Sequence, residues 1–208
     1  MTAFGYLRPT SIDEAVAALD HHAGEAHILA GGTALALLMK QGLVGSGVLV
    51  DLAAIPGLDG VAGGGDGSVE IGPLCPLRSI ERHPLILDRQ PALAATIARV
   101  ASVRVRNQAT LGGNLAHADP AQDPPPMLMV LDAEIDVTGP EGRRTIPLDG
   151  LFADVFETVL GPADVITAVR VPALPARSVV HYEKFLPRTV DDYATVSVAA
   201  RLSFDGAG

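Results

Sequence analysis

The sequence predicts an α+β fold, an α/β unit first and a more mixed half after it. Three observations predict this. A strand–helix–strand pattern fills the chain to residue 52. Beyond it, apolar runs alternate between helical and strand-like periods. Two glycine-bearing segments, Ala30-Gly31-Gly32-Thr33 and Thr110-Leu111-Gly112-Gly113-Asn114, fall at turns between such runs. With 208 residues, 48% of them hydrophobic, the chain has enough apolar side chain for a substantial core. Only 4% are aromatic and none is Trp, so that core is aliphatic.

Thr10-Ser11-Ile12-Asp13-Glu14 reads as a helix start, with Ser11 as cap and Glu14 reaching back. Ile12, Ala15, Val16 and Leu19 share one face, and Gly24 closes the segment. His27 to Ala30 is a short strand, Gly31-Gly32 a turn, and Thr33 an N-cap for the helical run Ala34 to Gln41, stopped by Gly42. Val48 to Leu52 is the next strand, giving a parallel crossover.

Gly57 to Gly67 is glycine-rich and turn-like. Val69 to Gly72 alternates as a strand. Leu77 to His83 and Pro91 to Ala101 read as helices, with Pro91 acceptable in a first turn. Val105 to Asp123 lacks a regular pattern, and long irregular loops in compact domains are often functional. Met127 to Leu131 is a short helix introduced by Pro124-Pro125-Pro126, which Asp123 suits as N-cap. Ala133 to Thr138 and Arg144 to Pro147 are strands around the turn Gly139 to Gly142. Val165 to Val171 is a strand ended by Pro172. Leu174 to Arg177 marks a boundary, and Val179 to Phe185 and Thr195 to Phe204 are strands beyond it.

The formal charge of −9, without a basic run, argues against a nucleic-acid partner. Cys75 is the only cysteine, so the chain cannot by itself hold a four-cysteine iron–sulfur cluster or an internal disulfide. The first residues lack a signal-peptide pattern, and no apolar run approaches the roughly 18 residues of a membrane helix. A cytoplasmic protein without membrane insertion is expected. The six histidines show no zinc spacing, no metal site is expected, and there is no Gly-x-Ser-x-Gly elbow.

A glycine turn between strand and helix points backbone N–H groups at an anion, aided by the helix dipole. Gly31-Gly32 serves that purpose or is an ordinary tight turn, since it matches neither G-x-G-x-x-G nor a Walker A loop. The second segment carries the same two readings, with Thr110 and Asn114 as added polar groups. Asp123 either caps the next helix or accepts hydrogen bonds from ligand hydroxyls. Of the fifteen basic residues only Lys40 and Lys184 are lysines. Lys40 complements a helix C-terminus, and Lys184 reads as an exposed edge-strand residue.

Taken together, these segments resemble the FAD-binding flavoprotein subunits of the molybdenum hydroxylases, the family of the aerobic carbon monoxide dehydrogenase medium subunit and the xanthine dehydrogenase flavin domain. Ala30 to Leu35 with Met39-Lys40 looks like the first FAD loop. Arg106-Asn107-Gln108-Ala109-Thr110-Leu111-Gly112-Gly113-Asn114-Leu115 looks like the second. Ala118-Asp119-Pro120, Asp123, Val165 to Pro172 and Lys184 to Arg188 continue in register.

The resemblance implies a vanillyl-alcohol-oxidase-type (PCMH-type) FAD-binding fold with two α/β subdomains, residues 1–55 and 56–176. Residues 177–208 would begin a C-terminal α+β subdomain that ends early. Leu29, Ala30, Gly31, Gly32, Thr33, Ala34 and Leu35 would hold the pyrophosphate region from one side, and Thr110, Gly112, Gly113 and Asn114 from the other. Asp123 would bond FAD hydroxyls, Ala101 and Ile166 would pack near the cofactor, and Lys184 would lie near the isoalloxazine. Ala34 departs from the polar residue common at its position. No residue is assigned a catalytic acid or base role.

The implied function is an oxidoreductase component that relays electrons. FAD would sit on this chain, with 2Fe–2S clusters on a small partner and molybdopterin on a large one, in a dimer of heterotrimers. The alternatives are a self-contained FAD oxidoreductase, with His117 or Cys75 as candidate flavin attachment, and a non-redox nucleotide-binding domain.

Overall fold

The computed structural model describes residues 4–45, 47–187, 189 and 192–204. Three short strands, β1 (Gly5–Leu7), β2 (Ala26–Leu29) and β3 (Val48–Asp51), form a parallel sheet in the order β1-β3-β2. Helices α1 (Ile12–His21) and α2 (Thr33–Lys40) make the two crossovers. The expected crossover is present, with β1 added at its edge. β1 escaped the sequence because it has three residues, all exposed, and is specified by pairing with β3.

Ser11 caps α1 by accepting from Glu14 N, while Glu14 Oε2 accepts from Thr10 N at 2.7 Å, one residue before the expected partner. Ala15 and Leu19 are buried and pack with Val50, Leu52, Ile55 and Leu58 in a small core. Thr33 is the first helical residue of α2, not its cap; Gly32 takes the cap position at φ +70°. That left-handed conformation suits glycine and strains other residues.

Strands β4 (Val61–Gly63) and β5 (Val69–Ile71) open a second, antiparallel sheet. β4 lies inside the stretch expected to be only turn; its pairing with β5 outweighs a glycine-rich composition. A helical layer follows: α3 (Leu77–Arg82), α4 (Pro84–Arg89), α5 (Pro91–Ile97), α6 (Val103–Arg106), α7 (Leu111–His117) and α8 (Pro124–Val130). α7 lies in the segment expected to be irregular, and α6 runs into its start. Gly112 and Gly113 are poor helix formers, but the Thr110 cap and the burial of Leu111 and Leu115 prevail. The extra helix α4 starts on Pro84, with His83 Nδ1 accepting from Leu85 N. α5 stops short of Ala101, which has φ +38°.

β6 (Glu134–Gly139) and β7 (Gly142–Pro147) form the expected hairpin. A small hairpin of β8 (Phe152–Asp154) and β9 (Glu157–Thr158) is too short to have shown a pattern. β10 (Val165–Val171) enters the middle of the second sheet, whose order is β4-β5-β10-β6-β7. The main core lies between this sheet and the helical layer, with Leu77, Leu93, Leu115, Leu128, Ile135 and Val169 fully enclosed. Ala163 and Val165 belong instead to the small core, so the chain entering β10 ties the two sheets together. β11 (Ser178–Phe185) and β12 (Val196–Ser203) form an antiparallel hairpin that inserts Tyr182 into the main core. No described helix is long and apolar enough to cross a membrane.

Candidate functional site

Where the two sheets meet, a cavity of about 730 Å³ opens between the glycine segments, within the roughly 300–1,000 Å³ usual for small-molecule sites. Every residue expected to meet the cofactor lines it except Leu29. Leu29 ends β2 and supports the turn, since a Cβ on Gly32 would stand 3.2 Å from Leu29 Cδ1.

The glycines differ in what they permit. A Cβ on Gly31 would lie 2.1 Å from Gln108 O, and one on Gly112 would lie 2.5 Å from Pro73 Cβ. These two glycines let protein approach protein: Gly31 seats the first segment against the second, and Gly112 seats the second on Pro73. Both residues also line the cavity, so this close packing forms part of its wall. Gly32 supplies the left-handed turn. No side chain caps α2, so its first N–H groups, which have no intrahelical acceptor, open at the cavity.

The second segment is more firmly built. Thr110 Oγ1 accepts from Gly113 N, Leu111 N donates to Cys75 O, and Gly112 N donates to Pro73 O at 2.8 Å. Among the described residues, Asn114 Oδ1 and Gln122 Oε1 are buried without a hydrogen-bond partner, and both residues line the cavity. Unpaired buried acceptors are costly, so both mark a place for an external donor. Gln122 was missed as a site residue; a polar side chain in a proline-flanked loop gives no pattern that singles it out. Tyr193, at the rim, was missed for the same reason.

Asp123 does not cap α8. Its backbone is helical and its side chain makes no cap bond. Instead Oδ2 accepts from Lys184 Nζ at 2.8 Å and Oδ1 from the Tyr182 hydroxyl at 2.5 Å. Lys184 also donates to Arg99 O. It is 4% exposed, so the expected edge-strand lysine is a buried cation facing the cavity. Burial, and then the bond to Asp123, push the Tyr182 phenol far above its ordinary value. At the cavity wall Asp164 is gripped by both ends of the Arg144 guanidinium, which holds its carboxyl below the usual carboxylate range.

His117 lines the cavity and tilts against Phe156, whereas Cys75 does not line it. Burial pushes the Cys75 thiol up to about 11. Among the described residues, no group of three or more His, Cys, Asp or Glu is gathered to hold a metal.

The cavity therefore offers a helix N-terminus, unpaired amide acceptors and a buried cation around an apolar interior, a set that suits a long ligand with an anionic centre. Residues 2–174 match the sequence profile of the FAD binding domain in molybdopterin dehydrogenase. The chain belongs to this family. It is similar to the carbon monoxide dehydrogenase medium chain of Hydrogenophaga pseudoflava, at 36% identity over 98% of this chain and 70% of that one. The nicotine 6-hydroxylase medium subunit of Paenarthrobacter nicotinovorans is 34% identical over the same shares. The solved structure of the Hydrogenophaga carbon monoxide dehydrogenase that lacks the Mo-pyranopterin moiety superposes with a TM-score of 0.93, over 98% of this chain and 70% of that one. The mixed α and β architecture is thus that of the medium subunit. The chain is an FAD-binding component of an oxidoreductase. The residues present fit FAD: its hydroxyls would satisfy the amide acceptors, and its pyrophosphate would satisfy the open N–H groups of α2.

Proposed function

We propose that this chain is the electron-transfer subunit of a heterotrimeric molybdenum hydroxylase. The cavity would hold FAD, through which electrons from 2Fe–2S clusters of a small partner subunit would reach an external acceptor. A large partner carries molybdopterin and oxidises the substrate, and the assembly is a dimer of heterotrimers. In this reading, residues 1–55 and 56–176 are the two FAD-binding subdomains, and residues 177–208 open a third.

The observation that carries the reading is the convergence, in one cavity, of unpaired acceptors from Asn114 and Gln122, the open end of α2 and the buried Lys184. The sequence adds that the one cysteine of these 208 residues cannot ligate the clusters, which accords with clusters held outside this stretch.

The bound flavin supplies the redox chemistry. The protein binds, orients and sets the local field. The open end of α2 and the Thr110 hydroxyl would hold the pyrophosphate, Asn114 and Gln122 would accept from hydroxyls, and Ala101 and Ile166 would shield the ring from water. A lone ammonium about 4 Å from a unit negative charge would contribute about 4 kcal/mol at an effective dielectric near 20. Lys184 is not alone. With Asp123 on it at 2.8 Å, the pair acts on the ring as a dipole, so its pull on the reduced flavin is well below that figure.

Purification tests the reading. The expected preparation is yellow and releases FAD on denaturation. Its flavin is reduced by substrate only after the cluster and molybdopterin subunits are added. A colourless protein that FAD cannot reconstitute would sink it.

A further inference from the structure

Three successive carbonyls, the last two on residues that line the cavity, are each held by a buried cation. Arg99 O accepts from Lys184 Nζ at 3.1 Å. Val100 O and Ala101 O both accept from Arg106 Nη1, at 2.6 and 2.7 Å. Arg106 is itself buried, and its Nε donates to Glu81 Oε2 at 3.0 Å. Ala101, the residue so held, has φ +38°. A left-handed non-glycine residue persists only where its surroundings over-determine it, and here the guanidinium does so.

We propose that Arg106 is a positioning residue for the cofactor. It clamps the Val100–Ala101 backbone in its strained conformation and so sets the cavity wall against which the flavin packs. This rests on the reading of the cavity as the FAD site. Arg106 does not line the cavity, so it acts through Ala101. Lysine at this position would keep the charge opposite Glu81 but would lose the planar fork that reaches Glu81 and both carbonyls at once.

The test measures FAD dissociation constants by flavin fluorescence for wild type, Arg106→Lys, Ala101→Gly and the double variant, with thermal melting alongside. R106K is expected to bind FAD about tenfold more weakly, the equivalent of releasing one strained residue. A101G alone removes a methyl that packs near the ring and is expected to bind about fourfold more weakly than wild type, a smaller loss than that of R106K because the clamp still holds the segment. The double variant is expected to bind more tightly than R106K, since glycine adopts positive φ without strain. A purely structural role for Arg106 gives no such rescue. Should R106K fail to fold, Glu81→Gln loosens the same guanidinium and is expected to give a smaller loss, again rescued by A101G. R106K binding equal to wild type, or a loss that A101G does not relieve, overturns the clamp. A wild-type chain that binds no FAD overturns the cavity reading itself and the clamp with it.

Discussion

Helix α2, which follows the first glycine segment, buries none of its residues and leaves Leu37 exposed. Helix α7, which starts in the second, buries Leu111, Gly112 and Leu115 and is capped by Thr110. The first segment is thus held by its turn and by the contact of Gly31 with Gln108, while the second is part of the main core. The two sides of one cavity therefore differ in stability, the second being a fixed wall and the first a flap seated on it. Local opening is easiest where few contacts are buried, so α2 is expected to open before α7.

The largest expected effect lies on the fixed side. Lys184→Met strands Asp123 in the interior with, among the described residues, the Tyr182 hydroxyl as its remaining side-chain partner. Breaking a buried ion pair by removing one member costs about 3–5 kcal/mol. Denaturant midpoint and FAD affinity are expected to fall together. A variant as stable as wild type would show that this wall is not fixed by the pair.

Glycine substitutions then separate the two sides. Gly31→Ala and Gly112→Ala each force a Cβ into neighbouring atoms, an overpacking worth about 1–3 kcal/mol. G112A places it in the core and is expected to lower both the melting temperature and FAD binding. G31A pushes on a flap that can move away, so FAD binding is expected to be lost while the melting temperature changes little. Equal melting shifts for the two would break the comparison. Thr110→Ala, which removes a cap, is expected to cost about 1 kcal/mol and to show in amide exchange of α7.

The same asymmetry governs what was legible in the sequence. β10, α1 and the β6–β7 hairpin were readable because their own residues have a clear period and clear caps. β1, β4 and the small hairpin of β8 and β9 were not, since each is specified by a partner strand distant in sequence or by a turn of a few residues. α7 was hidden by its glycines. Most of the residues nominated through family resemblance line the cavity, because backbone-built loops keep their glycines in recognisable strings. The Asp123–Lys184–Tyr182 cluster was not, because it joins side chains about sixty residues apart, and such a contact leaves no local pattern. Asp123 and Lys184 were nominated separately, and only the fold shows that they hold each other.

The smallest expected effect concerns the junction of the two sides. Asp164 lies between Ala163 and Val165, which pack in the small core, and its carboxylate is tied to Arg144 on β7 of the larger sheet. The Arg144 bond lowers the folded-state value of Asp164 below its ordinary one. A carboxyl shifted in this direction contributes stability above its unfolded value of about 3.9, and the contribution is lost as pH falls through the lower folded value. Arg144 is partly exposed, so solvent screening keeps the term small. Asp164→Asn is therefore expected to lower the melting temperature slightly at neutral pH and to flatten the acid limb of the stability profile below about pH 4. Amide exchange in β3 and α1, which share the small core with Ala163 and Val165, should quicken before that in α7 as wild type is acidified, and D164N should narrow that gap. Parallel acid limbs for the two proteins, with β3 and α7 opening together, would mean that the Asp164 junction does not set the difference between the sides.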